Sequence, residues 1–351
     1  MNIDVLIVGQ GVCGTFLSRE LERAGLSYLV IDEARPFTAS KAAAGLINPV
    51  TGRRIVKTWM IDQLLSFACS AYEEAGSALG ICCLTPTSIV DFFPGPQMRN
   101  AFFERYTEDP EYLQVPPDEA AWRGQFQYEF GFGAISPCYL VDLQGLLSAT
   151  RSWLLGQQRL REEKFEETEL FLENDGVRYR DIRAKRIIFC DGMESFRGRW
   201  FTLLPFAPNK GEVLIVEIPD LAPSAVFKKG ISLIPLADGR YWVGSSYDWA
   251  FNDSAPTEAF RHKTEAILKN WLKVPFQTVD HFASIRPATL ERRPFVGFHP
   301  LYPAIGILNG MGTKGCSLAP YFARQLADHM VEGAAILPEA DVRRFSRILS
   351  R

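Results

Sequence analysis

The sequence predicts an α/β protein in which a Rossmann-like nucleotide-binding domain carries an inserted α+β domain with a mixed sheet. At the start of the chain, an apolar run leads through a glycine-rich turn into an amphipathic segment. Proline and aromatic residues become dense after residue 80 and interrupt the α/β pattern, which returns before a second glycine-rich turn near the end. The length of 351 residues is sufficient for two domains with separate cores.

The first residues have the pattern of a strand, a tight turn and a helix. The apolar run 3–8 precedes the motif Gly9-x-Gly11-x-x-Gly14. Gly9 permits the sharp turn, Gly11 lets the backbone approach a pyrophosphate, and Gly14 lets the helix pack close to the strand. The first turn of that helix then offers free N–H groups to phosphate oxygens.

An acidic residue, Asp32, ends the second apolar run, 28–31. It lies 23 positions after Gly9, close to the spacing at which an acid hydrogen-bonds an adenosine ribose. This acid argues against a purely structural glycine turn, and it suits a ribose hydroxyl better than the 2′-phosphate of NADP. The nucleotide contacts predicted in this unit are Gly9, Gly11, Val12, Cys13, Gly14, Asp32 and Glu33.

The next segment, 40–49, is rich in small residues. These would let a loop press against an extended cofactor, with Ser40 donating to a phosphate, although an alanine-rich helical turn is the alternative. Arg53, Arg54 and Lys57 follow, and they either face an anionic group or are solvated loop charges. The periodicity of the following segment predicts a helix over 59–75 that ends at Gly76.

The segment 81–139 is predicted to belong to a second domain. The alternation of Phe126, Tyr128, Phe130 and Phe132 predicts a strand. The α/β pattern then returns with a helix capped by Asp142, a hairpin turn at 174–176, and a buried strand over 184–189. The turn Cys190-Asp191-Gly192 follows that strand, where it could lie against the cofactor.

Strands are predicted over 213–218, 231–234 and 241–244, followed by a helix over 258–272. This part is interpreted as the second half of the inserted domain, a mixed sheet that roofs a pocket. The chain then returns to the first domain through a run at 305–308, a turn with Gly310, Gly312 and Gly315, and a helix that ends at Gly333. Such a turn is a second anion-binding site of the same kind as the first.

The composition indicates a water-soluble protein with no polyanionic partner. The net charge is −3 and 47% of residues are apolar, so nothing suggests nucleic-acid binding. No apolar run reaches the roughly 20 residues that span a bilayer, and the polar start argues against a signal peptide, so a cytoplasmic location is expected. Seven scattered cysteines and four separated histidines argue against a disulfide framework and a metal site.

Taken together, these motifs resemble the FAD-dependent D-amino-acid oxidase family, which includes glycine and sarcosine oxidases. The shared features run in the same order along nearly the whole chain. They are the Gly9 motif with Asp32, the 40–45 loop, the 190–192 turn, Arg286-Pro287-Ala288-Thr289 with Pro294-Phe295-Val296-Gly297, and the terminal glycine turn into Leu318-Ala319-Pro320. The combination is far more specific than any one of these motifs.

The resemblance implies a Rossmann-like FAD-binding domain assembled from 1–80, 140–205 and 280–351. It implies a mixed-sheet α+β substrate-binding domain assembled from 81–139 and 206–279. FAD is expected to be bound noncovalently, because no cysteine matches the one that carries flavin in sarcosine oxidases. Besides those already named, the implied cofactor contacts are Ser40, Ala44, Gly45, Leu46, Phe165, Cys190, Gly192, Gly310, Gly312, Thr313, Lys314 and Gly315.

The resemblance also implies an enzyme that oxidises the C–N bond of an amino acid or secondary amine by hydride transfer to flavin N5. Arg286 matches the arginine that holds a substrate carboxylate, although a salt bridge to Glu291 is the alternative from the residues alone. Arg54 and Lys57 resemble a basic flavin-side segment of sarcosine oxidases, and Lys314 would stabilise reduced flavin. We therefore expect these four residues to act in catalysis.

Two departures from the family pattern leave the substrate open. Met311 replaces the usual histidine, and Thr313 replaces a second substrate-binding arginine. The alternatives are a dehydrogenase acting on a hydroxy acid or on a macromolecule-bound amine, and an electron-transfer flavoprotein subunit without amine oxidase activity. The electron acceptor is either O2 or another molecule.

Overall fold

The computed structural model describes all of residues 1–351 as two large sheets with helices between and around them. Eight α-helices and three short 3₁₀ helices are present. No helix is both long enough and apolar enough to cross a bilayer. The α-helices are α1 Val12–Arg23, α2 Ala39–Ala42, α3 Ile61–Leu79, α4 Pro96–Glu108, α5 Leu143–Gly156, α6 Glu258–Trp271, α7 Gly315–Glu332 and α8 Ser346–Leu349; the 3₁₀ helices are Glu167–Glu169, Glu194–Phe196 and Val342–Phe345.

The first sheet has eight strands and a parallel centre, as a nucleotide-binding fold requires. Strand β1 lies between β2 and β12 and is parallel to both, and β19 is parallel to β12 on its other side. The apolar runs in these strands are buried on both faces, which explains their continuous hydrophobic sequences. The strands are β1 Asn2–Val8, β2 Tyr28–Ile31, β9 Leu160–Arg161, β10 Leu170–Glu173, β11 Gly176–Tyr179, β12 Ile182–Phe189, β18 Phe295–Phe298 and β19 Ile305–Asn309.

The second sheet has nine mostly antiparallel strands in the order β17-β13-β16-β15-β14-β6-β8-β3, with β7 paired to β8. Only β14 and β6 are parallel neighbours on this path. A separate hairpin pairs β4 Val50–Thr51 with β5 Val56–Lys57. The strands of the second sheet are β3 Leu46–Ile47, β6 Leu84–Phe92, β7 Leu113–Gln114, β8 Phe132–Val141, β13 Asn209–Glu217, β14 Val226–Lys229, β15 Ile231–Pro235, β16 Tyr241–Gly244 and β17 Gln277–Arg286.

The two faces of the second sheet have different surroundings. Its outer face packs against α6 in an apolar cluster that contains Trp271. The pairing register places Arg286, Trp242, Lys228 and Asp91 together on the opposite face, which we call the inner face. The Trp242 indole Nε1 donates to the carbonyl of Ala42 at 3.0 Å, so the inner face lies against the loop that begins at α2.

Most predicted elements are present, and two local predictions are wrong. Helix α3 continues past Gly76 to Leu79 and ends at Gly80, which adopts the left-handed conformation. Gly76 instead lies inside the helix, where a Cβ would come within 2.5 Å of the Ile81 carbonyl oxygen. The predicted strand over 126–132 begins only at Phe132, because the alternating aromatic side chains are buried around Phe92 without a continuous strand partner.

The division into two domains stays a prediction, and the sheet pairing adds one detail to it. Strand β3 falls in the segment 1–80, yet it pairs with β8 in the second sheet. Strands β8 and β17 each run across a predicted boundary, at 139 and 279 respectively. Long strands thus carry the chain directly from one predicted domain into the other.

Candidate cofactor and substrate site

Three turns meet where the central strands of the first sheet reach their carboxyl ends. The turn after β1 contains Gly9, the turn after β12 contains Cys190, and the turn after β19 contains Gly310. Gly9 has a φ of +96°, and a Cβ there would lie 2.7 Å from the Cys190 carbonyl oxygen. A side chain at this position would therefore separate the first two turns.

Two helix N-termini converge at this edge, one from each end of the chain. Neither α1 nor α7 has a capping side chain at its N-cap residue, and the backbone N–H groups of Cys13 and Gly14 in α1 and of Gly315 and Cys316 in α7 have no acceptor within the protein. A Cβ at Gly315 would contact the Val12 side chain at 3.4 Å, so the two termini lie side by side. Such a pair of positive helix ends is suited to an anionic ligand.

Ser40 reaches the first of these termini from the neighbouring loop. Its hydroxyl accepts a hydrogen bond from the backbone N–H of Val12 at 3.1 Å. The only group within 4 Å of a Cβ built at Gly11 is Ser40, so no other protein atom closes this side of the turn. The structure thus brings together Gly9, Gly11, Val12, Ser40 and Gly315 as the sequence predicts. Cys13 and Gly14 belong to the same helical turn, and Gly14 packs against the Gly9 carbonyl oxygen.

Asp32 lies at the end of β2 with most of its hydrogen-bonding capacity in use. It accepts the backbone N–H groups of Gln10 and Ala34, each at 2.8 Å, and Nη1 of Arg151 at 2.7 Å. Arg151 also donates to the side chain of Gln10 at 3.2 Å, so the acid and the glycine turn are held by one arginine. Only one hydrogen bond reaches Oδ2, which leaves that oxygen able to accept a hydroxyl.

Glu33 does not join this network. Its carboxylate pairs with Arg35 at 2.5 Å on the protein surface, and Arg35 also pairs with Glu194 at 2.7 Å. Phe165, one of the implied cofactor contacts, is partly buried and stacks on Tyr179 with ring centroids 4.8 Å apart. The cofactor roles of these two residues stay predictions.

The loop residues Ala44, Gly45 and Leu46 connect α2 to the second sheet. Gly45 packs against the carbonyl of Val141, where the backbone leaves no space for a Cβ. Leu46 pairs with Leu140 in the ladder between β3 and β8. Packing within the protein therefore requires glycine at 45, and the cofactor contacts of Ala44, Gly45 and Leu46 stay predictions.

Lys314 is a partly buried ammonium at the N-cap of α7. Its Nζ donates to Oδ1 of Asn48 at 2.6 Å, and no carboxylate contacts it. Burial lowers the pKa of Lys314 to about 8, and the nearby charge of Lys228 contributes in the same direction. The preceding turn, with Gly310, Gly312 and Thr313, is closed against 287–289 by the bond from Gly312 N–H to the Pro287 carbonyl at 3.2 Å. Gly192 lies beside it, because its carbonyl accepts the side chain of Asn309 at 2.8 Å.

Arg286 lies at the end of β17 on the inner face and has no carboxylate partner. Its Nη1 donates to Oδ1 of Asn209 at 2.6 Å and to the carbonyl of Ser246 at 3.3 Å, and its Nη2 donates to the hydroxyl of Ser245 at 2.6 Å. The ring of Tyr247 lies 5.1 Å from the guanidinium carbon. Burial lowers the pKa of Arg286.

The alternative salt bridge of Arg286 to Glu291 is absent, since Glu291 pairs with Arg344 at 3.2 Å. A guanidinium has five N–H donors, and three of them are used within the protein. The Nε donor and one Nη2 donor of Arg286 remain, and these nitrogens form one edge of the guanidinium. Arg286 can therefore accept a carboxylate without losing a protein contact.

Lys57 and Arg54, the basic residues around β5, form no hydrogen bond or ion pair with the three glycine turns described above. The ammonium of Lys57 lies 2.5 Å from Glu111 and 2.9 Å from Asp109, and Arg54 is exposed in the turn between β4 and β5. Three carboxylates, including Asp62, surround Lys57, and they raise its pKa to above its ordinary value. Lys57 is thus bound to carboxylates of the protein, and the flavin-side roles of Lys57 and Arg54 stay predictions.

Comparison with known proteins identifies the family to which this arrangement belongs. The family model described as "DAO: FAD dependent oxidoreductase" matches residues 4–329. The chain belongs to this family of FAD-dependent oxidoreductases. Its cofactor is FAD, and the uncapped helix ends and the open Gly11 turn fit an extended dinucleotide with a charged pyrophosphate.

Individual relatives agree with this assignment. The chain is 24% identical to the glycine oxidase of Pseudomonas aeruginosa, over 94% of this chain and 95% of that protein. The crystal structure of glycine oxidase from Geobacillus kaustophilus superposes with a TM-score of 0.81 at 20% identity, covering 98% of both chains. L-proline dehydrogenase from P. horikoshii superposes with a TM-score of 0.75 at 16% identity, covering 99% of this chain and 98% of the other. At these identities the two structures establish the shared fold.

Sequence reasoning missed the residues that hold the predicted ones in place. Arg151 and Gln10 orient Asp32, Asn48 binds Lys314, and Asn209 and Ser245 bind Arg286. These partners are between 22 and 266 positions from the residues they contact. No local spacing marks them. The one available signal is Gly211, a glycine inside a strand, which often marks a close approach of another group.

Proposed function

We propose that this oxidoreductase oxidises the C–N bond of a small amino acid or secondary amine that carries a carboxylate. One observation carries the proposal. Arg286 is a partly buried guanidinium with no anionic partner and with two N–H donors, on Nε and Nη2, that have no acceptor in the protein. Burying a charge without a counter-charge is costly, so an anionic ligand is the partner that would compensate it.

The location of Arg286 supports a substrate role. It lies on the inner face with Trp242, whose indole hydrogen-bonds the loop beside the cofactor turns. Arg286 is also fixed by Asn209 and Ser245, so its free edge has one orientation. A two-pronged contact to a carboxylate would fix both the position and the rotation of a small substrate.

Bound FAD would supply the hydride acceptor, which is the difficult part of the chemistry. The protein would position the substrate and provide the electrostatic environment. Arg286 aims the substrate, while the N-terminus of α7 and the ammonium of Lys314 favour negative charge in the site. On the inner face, the carboxylate of Asp91 is paired with Lys228 at 2.7 Å. No acid or base residue is required if the amine binds in its neutral form.

The experiment compares matched substrates with and without a carboxylate, such as sarcosine with dimethylamine and glycine with methylamine. Flavin bleaching is followed by stopped flow in the wild type and in Arg286→Leu and Arg286→Lys. We expect Arg286→Leu to reduce kcat/KM for the carboxylates by about 10²- to 10³-fold, with Arg286→Lys intermediate, because only arginine offers the planar fork. The visible spectrum of bound FAD should be unchanged.

The exposed Arg347, which forms no ion pair, provides a control in Arg347→Leu. This change should leave kcat/KM as in the wild type. If Arg286→Leu processes carboxylate substrates at the wild-type rate, the carboxylate-binding role is wrong. If no amine or amino acid bleaches the flavin in the wild type, amine oxidation itself is wrong.

Arg286 would hold the carboxylate of a 2-hydroxy acid equally well, so lactate and glycolate belong in the same assay. Substrates tethered to a macromolecule are disfavoured by the net charge of −3 where the carrier is a nucleic acid. A peroxide assay in air then separates an oxidase from a dehydrogenase or from an electron-transfer subunit. Bleaching without peroxide would indicate a dedicated acceptor other than O2.

A further inference from the structure

A carboxylate, Asp191, lies at the carboxyl end of β12, between two turns that form the cofactor site. A Cβ built at Gly9 would lie 3.0 Å from the Asp191 Cα. Strands β1, β12 and β19 all end here. Strand β2, which follows β1 in the chain, lies on one side of β1, whereas β12 and then β19 lie on its other side. This reversal of strand order is the position where open α/β sheets bind their ligands.

The contacts of Asp191 connect the turn after β12 with the turn after β19. Its Oδ1 accepts hydrogen bonds from the Ser195 hydroxyl and from the Asn309 side chain, the latter at 3.4 Å. Asn309 also donates to Ser195 at 3.1 Å and to the Gly192 carbonyl at 2.8 Å. The backbone N–H of Gly310 donates to Oδ1 of Asn309 at 2.8 Å. The second carboxylate oxygen of Asp191, Oδ2, has no hydrogen-bond partner in the protein.

No cation compensates the Asp191 carboxylate. The titratable groups beside it are Cys190 on the same turn and Glu194 on the following 3₁₀ helix, and Cys13 on α1 lies next to Cys190. Glu194 is paired with Arg35 at 2.7 Å, and Lys314 is bound to Asn48. Burial, opposed by the Ser195 hydrogen bond, raises the pKa of Asp191 to about 7.

We propose that Asp191 binds the anionic cofactor as a neutral carboxylic acid, so that FAD binding takes up one proton at this residue. An ionised Asp191 would add a third negative charge beside the two on the pyrophosphate. A protonated Asp191 removes that repulsion and supplies an O–H donor from its unpaired oxygen. The inference depends on FAD as the cofactor and is independent of which substrate is oxidised.

The coupling has a definite sign. If FAD binding raises the pKa of Asp191 above its value in the free protein, then affinity is fully present at low pH and is lost as pH rises through 7. For one proton, the Kd for FAD rises by up to tenfold per pH unit above that point. Between pH 6 and 8.5 the total change reaches about 30-fold.

The test measures FAD release from the diluted holoenzyme between pH 6 and 8.5, with free FAD detected by its fluorescence. Asp191→Asn keeps the shape and a permanent N–H donor but cannot titrate. We expect the wild-type Kd to rise by about 30-fold over this range. Over the same pH range, the fold increase in the Kd of Asp191→Asn should be at least ten times smaller than that of the wild type. The variant should therefore retain FAD more tightly than the wild type at pH 8.5.

Lys314 also titrates in this range, and it contributes to the slope of both proteins, so the difference between the slopes isolates Asp191. Glu339→Gln, which removes an exposed acid that forms no ion pair, is the control and should keep the wild-type slope. Equal slopes in the wild type and Asp191→Asn would overturn the proposal. So would a uniform loss of affinity in Asp191→Asn at every pH, since an ionised Asp191 would then be accepting a hydroxyl of the cofactor.

Discussion

The guanidinium of Arg286 passes directly over Gly211, and its Nη2 lies in the space that a Cβ of residue 211 would fill. The two residues are on neighbouring strands, because β13 pairs with β17 at Asn209 and Arg286. The missing side chain of Gly211 and the hydrogen bonds of Asn209 and Ser245 together determine where the free edge of Arg286 points.

Gly211→Ala is therefore expected to displace Arg286 without removing it. A displacement on the order of 1 Å of a positioning group costs roughly 10²-fold in rate, so kcat/KM for a carboxylate substrate should fall by about that factor. The measurement is stopped-flow bleaching of the holoenzyme with sarcosine or glycine. The double variant Gly211→Ala/Arg286→Leu should be no slower than Arg286→Leu alone. Additive losses would contradict this account, because Gly211 would then act through another group.

The network of Arg151 predicts an effect on cofactor affinity. Arg151 is mostly buried and binds both Asp32 and the side chain of Gln10 in the glycine turn. Arg151→Met should let the Asp32 carboxylate rotate and should weaken FAD binding by about tenfold, since a hydrogen bond to a charged group contributes roughly 1.5–3 kcal/mol. Fluorescence titration of released FAD measures this. Arg178→Met, which removes a surface pair with Glu173, is the control and should leave the Kd unchanged.

Lys314 predicts a pH dependence of stability in the protein without FAD. Its pKa is about 8 in the folded chain, below the ordinary value of 10.5, so the unfolded chain binds more protons between these values. Stability therefore rises with pH through this window, by about 2 kcal/mol between pH 8 and 9.5 from this residue alone. Urea unfolding of the apoprotein should show that Lys314→Met is more stable than the wild type at pH 7.5 and that this difference shrinks by pH 9.5. A pH-independent difference would mean that Lys314 is not buried as a charge.

Local sequence patterns were sufficient for the parts of the fold that depend on short-range chemistry. The Gly9 motif, the cap at Asp142 and the hairpin turn at 174–176 all formed as predicted, because each depends on a few adjacent residues. The helix end at Gly76 was wrong because two glycines compete as helix terminators, and tertiary packing against Ile81 decides between them. Likewise, the alternation of Phe126 and Tyr128 reports burial around Phe92 and not a strand.

For the candidate site, the sequence could identify residues with an intrinsic backbone role but not those whose role depends on distant partners. Arg286 could be singled out from its family motif, whereas its lack of a carboxylate partner required knowledge that Glu291 binds Arg344. Lys57 is the opposite case. Its carboxylate partners, three residues from two other segments, could not be predicted from the local sequence. Nothing within five residues of Lys57 other than Asp62 indicates this environment.

The pair formed by Asp91 and Lys228 on the inner face predicts the largest change in stability. Asp91 is 1% exposed, its Oδ2 lies 2.7 Å from Nζ of Lys228, and its Oδ1 has no hydrogen-bond partner. Burial raises the pKa of Asp91, and Lys228 opposes that shift. Lys228→Met should therefore leave an uncompensated buried carboxylate and lower the free energy of unfolding by about 3–5 kcal/mol at pH 8.

The loss in Lys228→Met should diminish toward pH 5, because the carboxyl group whose folded pKa is raised takes up a proton and becomes neutral as pH falls. The matched variant is Asp91→Leu/Lys228→Met, which removes both charges and should recover most of the lost stability at pH 8. Urea unfolding at pH 5 and 8 measures all three proteins. If the double variant is as unstable as Lys228→Met at both pH values, the cost comes from lost packing by the lysine side chain and not from the unpaired charge.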